Sequence, residues 1–322
     1  MLMPDLPLCR YRAVFQAEDA VHLPRFAGSA WRGVFGWALK RTVCVTRQPS
    51  CDDCMLLSAC VYPTLFETRP AASAAKMSRY TRVPLPFVLA PEPTPPFRER
   101  GAELQLDVCL IGHANRQVAY VIRALETGAA RGLGPGRGRL RLRHVQSIGM
   151  PEREAKVCYE PGGLPDWPMP QSPPVPAAPA TAEVTFLTPL RLKRDGDLMT
   201  PASFDAGALL MNLVRRISML SYFHTDTPLE ADFRALKAAA GRVTVQDHDL
   251  HWRETTRYSG RQKTTMQMGG LLGRAVLDLG AAPELWPYLW LGQWVHAGKG
   301  TTMGFGALRV GGNAPPAAVG GA

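Results

Sequence analysis

Residues 116–148 read RQVAYVIRALETGAARGLGPGRGRLRLRHVQSI, and residues 283–310 read PELWPYLWLGQWVHAGKGTTMGFGALRV. Both run in the same order: a helix-length apolar segment, a glycine-rich loop, then a short strand-like segment. The first predicts a helix over about Arg116–Thr127 and a strand over Arg139–Ile148. The second predicts a helix over about Pro283–Val295, with Pro283 suited to a first turn, and a strand over Ala307–Val310. Upstream of the first lie a strand at Arg10–Gln16, a helix at about Gly28–Thr42 and a strand at Glu103–Ile111. In that helix Ala30, Val34, Trp37 and Ala38 form a stripe, widened by Trp31, Phe35 and Leu39, and Ser29 is a candidate N-cap. Upstream of the second lie a strand at Glu183–Lys193, a helix at about Phe204–Phe223 and strands at 242–256 and 266–279. Leu209, Leu210, Leu213, Ile217 and Leu220 share one side of that helix.

Each half therefore reads βαββαβ, the ferredoxin-like order. The expected fold is α+β, two tandem ferredoxin-like (RRM-like) domains with a cysteine-rich insertion in the first. Between them, residues 161–180 read PGGLPDWPMPQSPPVPAAPA, where prolines fix φ and remove donors, so an extended linker is expected. The divisions are 1–160, the linker 161–180, 181–312 and a disordered tail over 313–322.

The 322 residues carry a formal net charge of +10 and a pI of about 9.5, which points to a polyanionic partner. The N-terminus lacks a signal peptide's basic start and apolar run, and no stretch reaches the roughly 18 apolar residues of a membrane span. Seven cysteines, four of them in one short stretch, do not resemble a secreted disulfide framework, so a reducing cytoplasm is expected.

Three basic stretches are candidates for phosphate contact. Arg131, Arg137, Arg139, Arg141 and Arg143 fall within thirteen residues without an acid. In a strand, Arg139, Arg141 and Arg143 would stand on one face about 7 Å apart, opposite Leu140 and Leu142. The competing reading is a solvated sheet face. The loop 298–306 holds Gly298, Gly300, Gly304 and Gly306 together with Lys299, Thr301 and Thr302. Free N–H groups there would cradle a phosphate; alternatively the glycines serve a tight turn. It is not a Walker A loop, because it leads into a strand rather than a helix. Arg253, Arg257, Arg261 and Lys263 flank Tyr258, with Trp252 nearby, so cations and base-stacking faces are interleaved. No recognition-helix signature supports a DNA-binding reading.

Cys44, Cys51, Cys54 and Cys60 are spaced C-x6-C-x2-C-x5-C. Four thiolates on one loop suit a tetrahedral structural zinc site; an iron–sulfur cluster and metal-free thiols are the alternatives. Cys9, Cys109 and Cys158 lie in or beside strands and read as core residues.

The ending HAGKGTTMGFG at 296–306 resembles the C-terminal glycine-rich loop of the RAMP superfamily. With LPRFAGSAWRGVFGWALKR at 23–41, the cysteine block through VYPTLFET to 68, and RYSGRQKTTMQMGGLLG at 257–273, the chain resembles the CRISPR-associated endoribonuclease that cuts precursor crRNA within its repeats. The resemblance implies two ferredoxin-like domains, binding of CRISPR repeat RNA and crRNA, and other subunits of an effector complex as further partners. It implies cleavage with no cofactor, by 2′-hydroxyl attack, leaving a 2′,3′-cyclic phosphate and a 5′-hydroxyl. A non-catalytic subunit that binds crRNA is the alternative. Family members often carry a histidine in or near the first helix, whereas residues 28–42 contain none. His22, just before that helix, and His296, beside Lys299, are the catalytic candidates with Lys299, and Arg32 is a candidate phosphate ligand.

Overall fold

A computed structural model describes residues 3–24, 26–68, 83–93, 95–150, 154–259 and 264–311. The tail over 313–322, Arg261 and Lys263 lie outside these residues.

In the first half, apolar–polar alternation builds an antiparallel sheet from β1 (Leu8–Ala17), β2 (Phe87–Pro91), β3 (Glu103–Ile111), β4 (Leu140–Ile148) and β5 (Ala155–Tyr159). Its order is β2-β3-β1-β4-β5. Along β4, Leu140, Leu142 and Val145 are buried while Arg141 and Arg143 are exposed, the alternation the sequence predicts. Helices α1 (Gly28–Val43) and α3 (Val118–Arg131) cover the buried face, and a short α2 (Val61–Phe66) follows the cysteine loop. The N-cap of α1 is Ala27 rather than Ser29, and no side chain caps that end. A 3-10 turn at Gly112–Gln117 delays α3 to Val118.

The second half repeats the plan. β6 (Thr181–Leu190), β7 (Thr244–Arg253), β10 (Gly270–Asp278) and β11 (Leu308–Gly311) form a sheet in the order β7-β10-β6-β11. Helices α4 (Ala206–His224) and α6 (Trp286–Val295) complete βαββαβ. The unforeseen α5 (Phe233–Ala240) is capped by Asp232, whose carboxylate accepts from the amides of Arg234 and Ala235. A hairpin of β8 (Thr256–Ser259) and β9 (Thr264–Gln267) extends the β7–β10 arm. In both halves the first strand lies between the third and fourth, which is the ferredoxin-like topology.

The halves share a core. Leu6, Leu8, Val88, Cys109 and Ile111 of the first half pack into the apolar cluster around α4 and α6. The proline-rich segment also binds to the body. Gln171 bridges to Leu8, and Trp167 stacks edge-on against Tyr11 at 5.9 Å. Proline carbonyls in an extended chain have no internal donor, and those of Pro176 and Pro174 accept from the indoles of Trp286 (2.8 Å) and Trp290 (3.0 Å). Each such bond contributes roughly 1 kcal/mol. Among the described residues, no helix is long and apolar enough to cross a membrane.

Candidate active site

The loop after α6 is where the halves meet around backbone. Gly300 takes φ +81° and opens a 3-10 turn, Thr301–Met303, which docks on the start of α1. A Cβ on Gly28 would stand 1.8 Å from the Met303 carbonyl oxygen, so only glycine allows that approach. Phe26 and Phe305 pack beside it with ring centroids 4.2 Å apart. Most loop amides are already engaged. Gly298 donates to Asn212 Oδ1 (2.8 Å), Lys299 to the Arg191 carbonyl (2.9 Å) and Gly304 to the Thr301 carbonyl (2.9 Å). Thr188 Oγ1 donates to the Gly304 carbonyl at 2.6 Å and accepts from Ala307 N at 2.8 Å. Gly298 and Gly304 therefore shape the loop rather than offer donors, a correction to the phosphate-contact set. Among the described residues the amides of Gly300, Thr301 and Thr302 donate to no protein group. The turn that carries them docks on the uncapped, positive start of α1, and Lys299 is exposed beside it.

The two candidate histidines are placed very differently. His296 is 5% exposed, and its ring bonds through Nδ1 to the Phe305 carbonyl (3.1 Å). Burial pushes its pKa down to about 3, so it is neutral at physiological pH. Its backbone stands at φ 60°, ψ 163°, a region that is essentially glycine-only and persists only where surrounding structure enforces it. His296 therefore staples the loop through the Phe305 carbonyl, and although largely enclosed it also lines the cleft between the halves. His22 is exposed on the connection from β1 to α1, where Val21–His22 pairs with Phe97–Arg98 and the imidazole packs 5.0 Å from the Phe97 ring. Gly134 of the first glycine-rich loop rests against the His22 carbonyl.

That first loop closes on itself, with Leu133 and Gly138 exchanging backbone bonds at 2.8 and 3.1 Å. Arg131 lies 3.7 Å above the Trp37 ring. Arg139 is not an unpaired member of a like-charge row. Its guanidinium grips Asp19 at 2.8 and 3.2 Å, and the Asp19 carboxyl is held well below its usual range by those bonds. Arg141 donates to Gln16 Oε1 at 3.1 Å, and Arg137 and Arg143 are exposed. Arg32 is half-buried, with its guanidinium 5.2 Å from the Phe66 ring centroid. Arg257 sits on β8, its backbone paired with Met266. Thr301 is 5% exposed, so this residue of the loop is largely enclosed.

A cleft of about 440 Å³ lies between the open face of the first sheet and the β11 side of the second half. Arg10, Arg12 and Asp107 line one wall, and Trp290, Trp294 and Arg309 line the other. Asp107 accepts from Arg10 Nε at 3.1 Å and from Arg12 Nε at 2.7 Å. One carboxylate thus orients two guanidiniums; with Glu92 on the same wall and Arg309 opposite, the cleft is lined by three cations and two carboxylates. Sequence reasoning did not single out Arg10 and Arg12, although their spacing in CRYR places both on one face of β1. At the seam, Arg216 donates from Nε to the Val295 carbonyl (2.8 Å), and burial lowers its pKa to about 10.

Cys44, Cys51, Cys54 and Cys60 line one small cavity at the end of α1. Burial pushes the Cys44 thiol up, but the Thr46 hydroxyl, nearby amides and the Lys40 ammonium pull it below its ordinary value. Cys9, Cys109 and Cys158 are buried in the core.

Two ferredoxin-like domains joined through a glycine-rich loop and flanked by basic surface define the class of fold. Family comparisons give the particular branch. The model AF_1859_N, an N-terminal domain, matches residues 6–166, and the model of the CRISPR-associated endoribonuclease Cas6 matches residues 184–308. Over residues 184–308 the chain therefore matches the CRISPR-associated Cas6 endoribonuclease family, and the comparisons support a Cas6-type endoribonuclease. It is similar to a Cas6 in a product complex (18% identity, TM-score 0.58, 94% of this chain and 98% of that one). It is also similar to Thermus thermophilus Cas6 (16%, TM-score 0.54, 95% and 98%). A further neighbour is a partial Cas6-RT-Cas1–Cas2 complex (14%, TM-score 0.56, 97% of this chain and 47% of that one). Over 108 residues the chain is 32% identical to an uncharacterized protein of Archaeoglobus fulgidus, a match spanning 32% of this chain and 34% of that protein.

Proposed function

We propose that the protein binds CRISPR repeat RNA across its basic cleft and cleaves precursor crRNA without a catalytic metal. The observation that carries this reading is the three undonated amides of Gly300, Thr301 and Thr302, set against the start of α1 beside Lys299. A scissile phosphate there gains backbone donors, a helix terminus and one cation. The 2′-hydroxyl of the preceding nucleotide gives its proton to a base and attacks the phosphorus. The bond to the 5′-oxygen breaks, that oxygen takes up a proton, and the products are a 2′,3′-cyclic phosphate and a 5′-hydroxyl. His22 is the base, since solvent reaches it and it lies on the connection leading into α1. Lys299 stabilises the charge that builds on the phosphoryl oxygens. His296 is a positioning residue that keeps the loop in its strained shape. Arg10, Arg12, Arg141 and Arg143 contact flanking phosphates.

A second reading is a non-catalytic subunit that holds crRNA among other proteins of an effector complex, working in the same cytoplasmic setting. It draws on the lack of histidine in α1 and the burial of His296. Labelled repeat RNA incubated with purified protein in EDTA separates the two. Fragments with 2′,3′-cyclic phosphate and 5′-hydroxyl ends support the enzyme. Tight binding with the RNA intact supports the subunit. Cleavage restored only by added magnesium would overturn the metal-independent mechanism.

A further inference from the structure

The cysteine loop has too little apolar packing to order itself. Between Cys44 and Cys60 only Cys51 among the apolar side chains is buried, while Val45 is 76% and Met55 is 88% exposed. Fixing the backbone of such a segment costs on the order of 1 kcal/mol per residue, which local turns alone do not offset. The loop nevertheless converges. Its outer cysteines are helix termini, Cys44 being the C-cap of α1 and Cys60 the N-cap of α2. Its inner pair sits on a turn in which Cys54 N donates to the Cys51 carbonyl and Leu57 N to the Cys54 carbonyl. The Thr46 hydroxyl lies between two of the sulfurs, 3.8 Å from Cys44 Sγ and 3.7 Å from Cys54 Sγ. All four thiols are free, and all four line the same cavity of about 20 Å³.

We propose that Cys44, Cys51, Cys54 and Cys60 together bind one zinc ion, and that this ion sets the angle between α1 and α2. The cavity has the volume of about one water-sized sphere, which a single ion fits. Four sulfur ligands with no carboxylate among the lining residues select a soft-tolerant tetrahedral ion over magnesium or calcium. Among the described residues no three such side chains already stand at ligating spacing, so binding draws the sulfurs inward to about 2.3 Å from the metal. Each thiol that ligates releases its proton to solvent, so affinity rises with pH. The shell is closed by protein and leaves no position for a substrate. The consequence runs through α2. Phe66, at its end, packs on Phe35 and Phe87 and lies under the Arg32 guanidinium, so the α1–α2 angle governs where Arg32 points.

The test uses the full chain purified without chelator and does not depend on RNA cleavage. Elemental analysis is expected to find about one zinc per chain, and cobalt substitution to give thiolate charge-transfer and tetrahedral ligand-field absorption. Cys54→Ser should lose most of the metal and melt lower, whereas Cys158→Ala, outside the loop, should keep it. Where Cys54→Ser does not fold, alkylation of the wild type decides. The four loop thiols should be protected with zinc and become reactive after chelation. Metal-free protein with native stability, and thiols indifferent to zinc, would overturn the proposal. So would a coloured protein containing acid-labile sulfide.

Discussion

The two glycine-rich loops occupy the same station in the two halves, between the second helix and the last strand, yet they differ in what they touch. The first, Gly132–Gly138, bonds to itself and lies against the β1–α1 connection of its own half. The second, Gly298–Gly306, reaches out of its half to the start of α1 and to the carbonyl of Leu89 on β2. A repeated architecture thus carries divided work. On the proposed reading, one loop supports a basic binding surface, and the other assembles a phosphate site that neither half holds alone.

The sharpest way to break that division is at His22. His22→Ala should slow single-turnover cleavage by roughly 10²–10⁴-fold and leave affinity within about threefold, because a base acts in the transition state and not in binding. A wild-type rate would remove His22 from the mechanism.

Next comes a pair of glycines. Gly28→Val places side-chain atoms on the Met303 carbonyl and should cost about 1–3 kcal/mol of stability along with cleavage. Gly136→Ala, in the first loop with nothing within 4 Å of an added Cβ, should be within about 0.5 kcal/mol of wild type. Thermal melts of the two variants check this. Equal effects would mean that the docking of the second loop is no tighter than an open turn.

A smaller effect follows from the buried histidines. Burial lowers His296 to about 3 and His224 to about 4, both from 6.5. Folded-state values below the unfolded ones mean that the unfolded chain binds more protons in between. Stability is therefore full above pH 6.5 and is lost as pH falls toward 4, by up to about 1.4 kcal/mol per pH unit for each histidine. His296→Gln should melt lower at pH 7 and show a shallower loss on acidification; a melting temperature flat between pH 7 and 5 would contradict the burial.

The smallest effect concerns Arg139. Asp19→Asn removes its partner and should strengthen RNA binding by roughly threefold at low salt, while Arg143→Ala should reduce the salt slope by about one. An unchanged slope would make that strand face merely solvated.

Much of this fold was legible because its periodicities are strong. The alternation Leu140, Arg141, Leu142, Arg143 marks β4, and the leucines of α4 mark a buried face. What escaped depends on partners distant in the chain. Arg139 finds Asp19 across 120 positions, so a row that looked uncompensated is not. The proline-rich stretch looked like a bare connector because its carbonyl partners, Trp286 and Trp290, lie more than a hundred residues downstream. The positive φ of His296 leaves no sequence signal in a non-glycine residue, so burial and strain there appear only in three dimensions. The Arg10–Arg12–Asp107 clamp could have been half read, since the arginines alternate along β1, but the carboxylate arrives from β3.

The division of labour is tested most directly by measuring, on one repeat RNA, both the dissociation constant and the cleavage rate at saturating protein for Lys299→Ala and Arg137→Ala. The second loop's lysine should lower the saturated rate by at least about tenfold as well as weaken binding, and the first loop's arginine should weaken binding alone. A saturated rate that falls with Arg137→Ala and holds with Lys299→Ala would place the chemistry at the other loop and contradict the account.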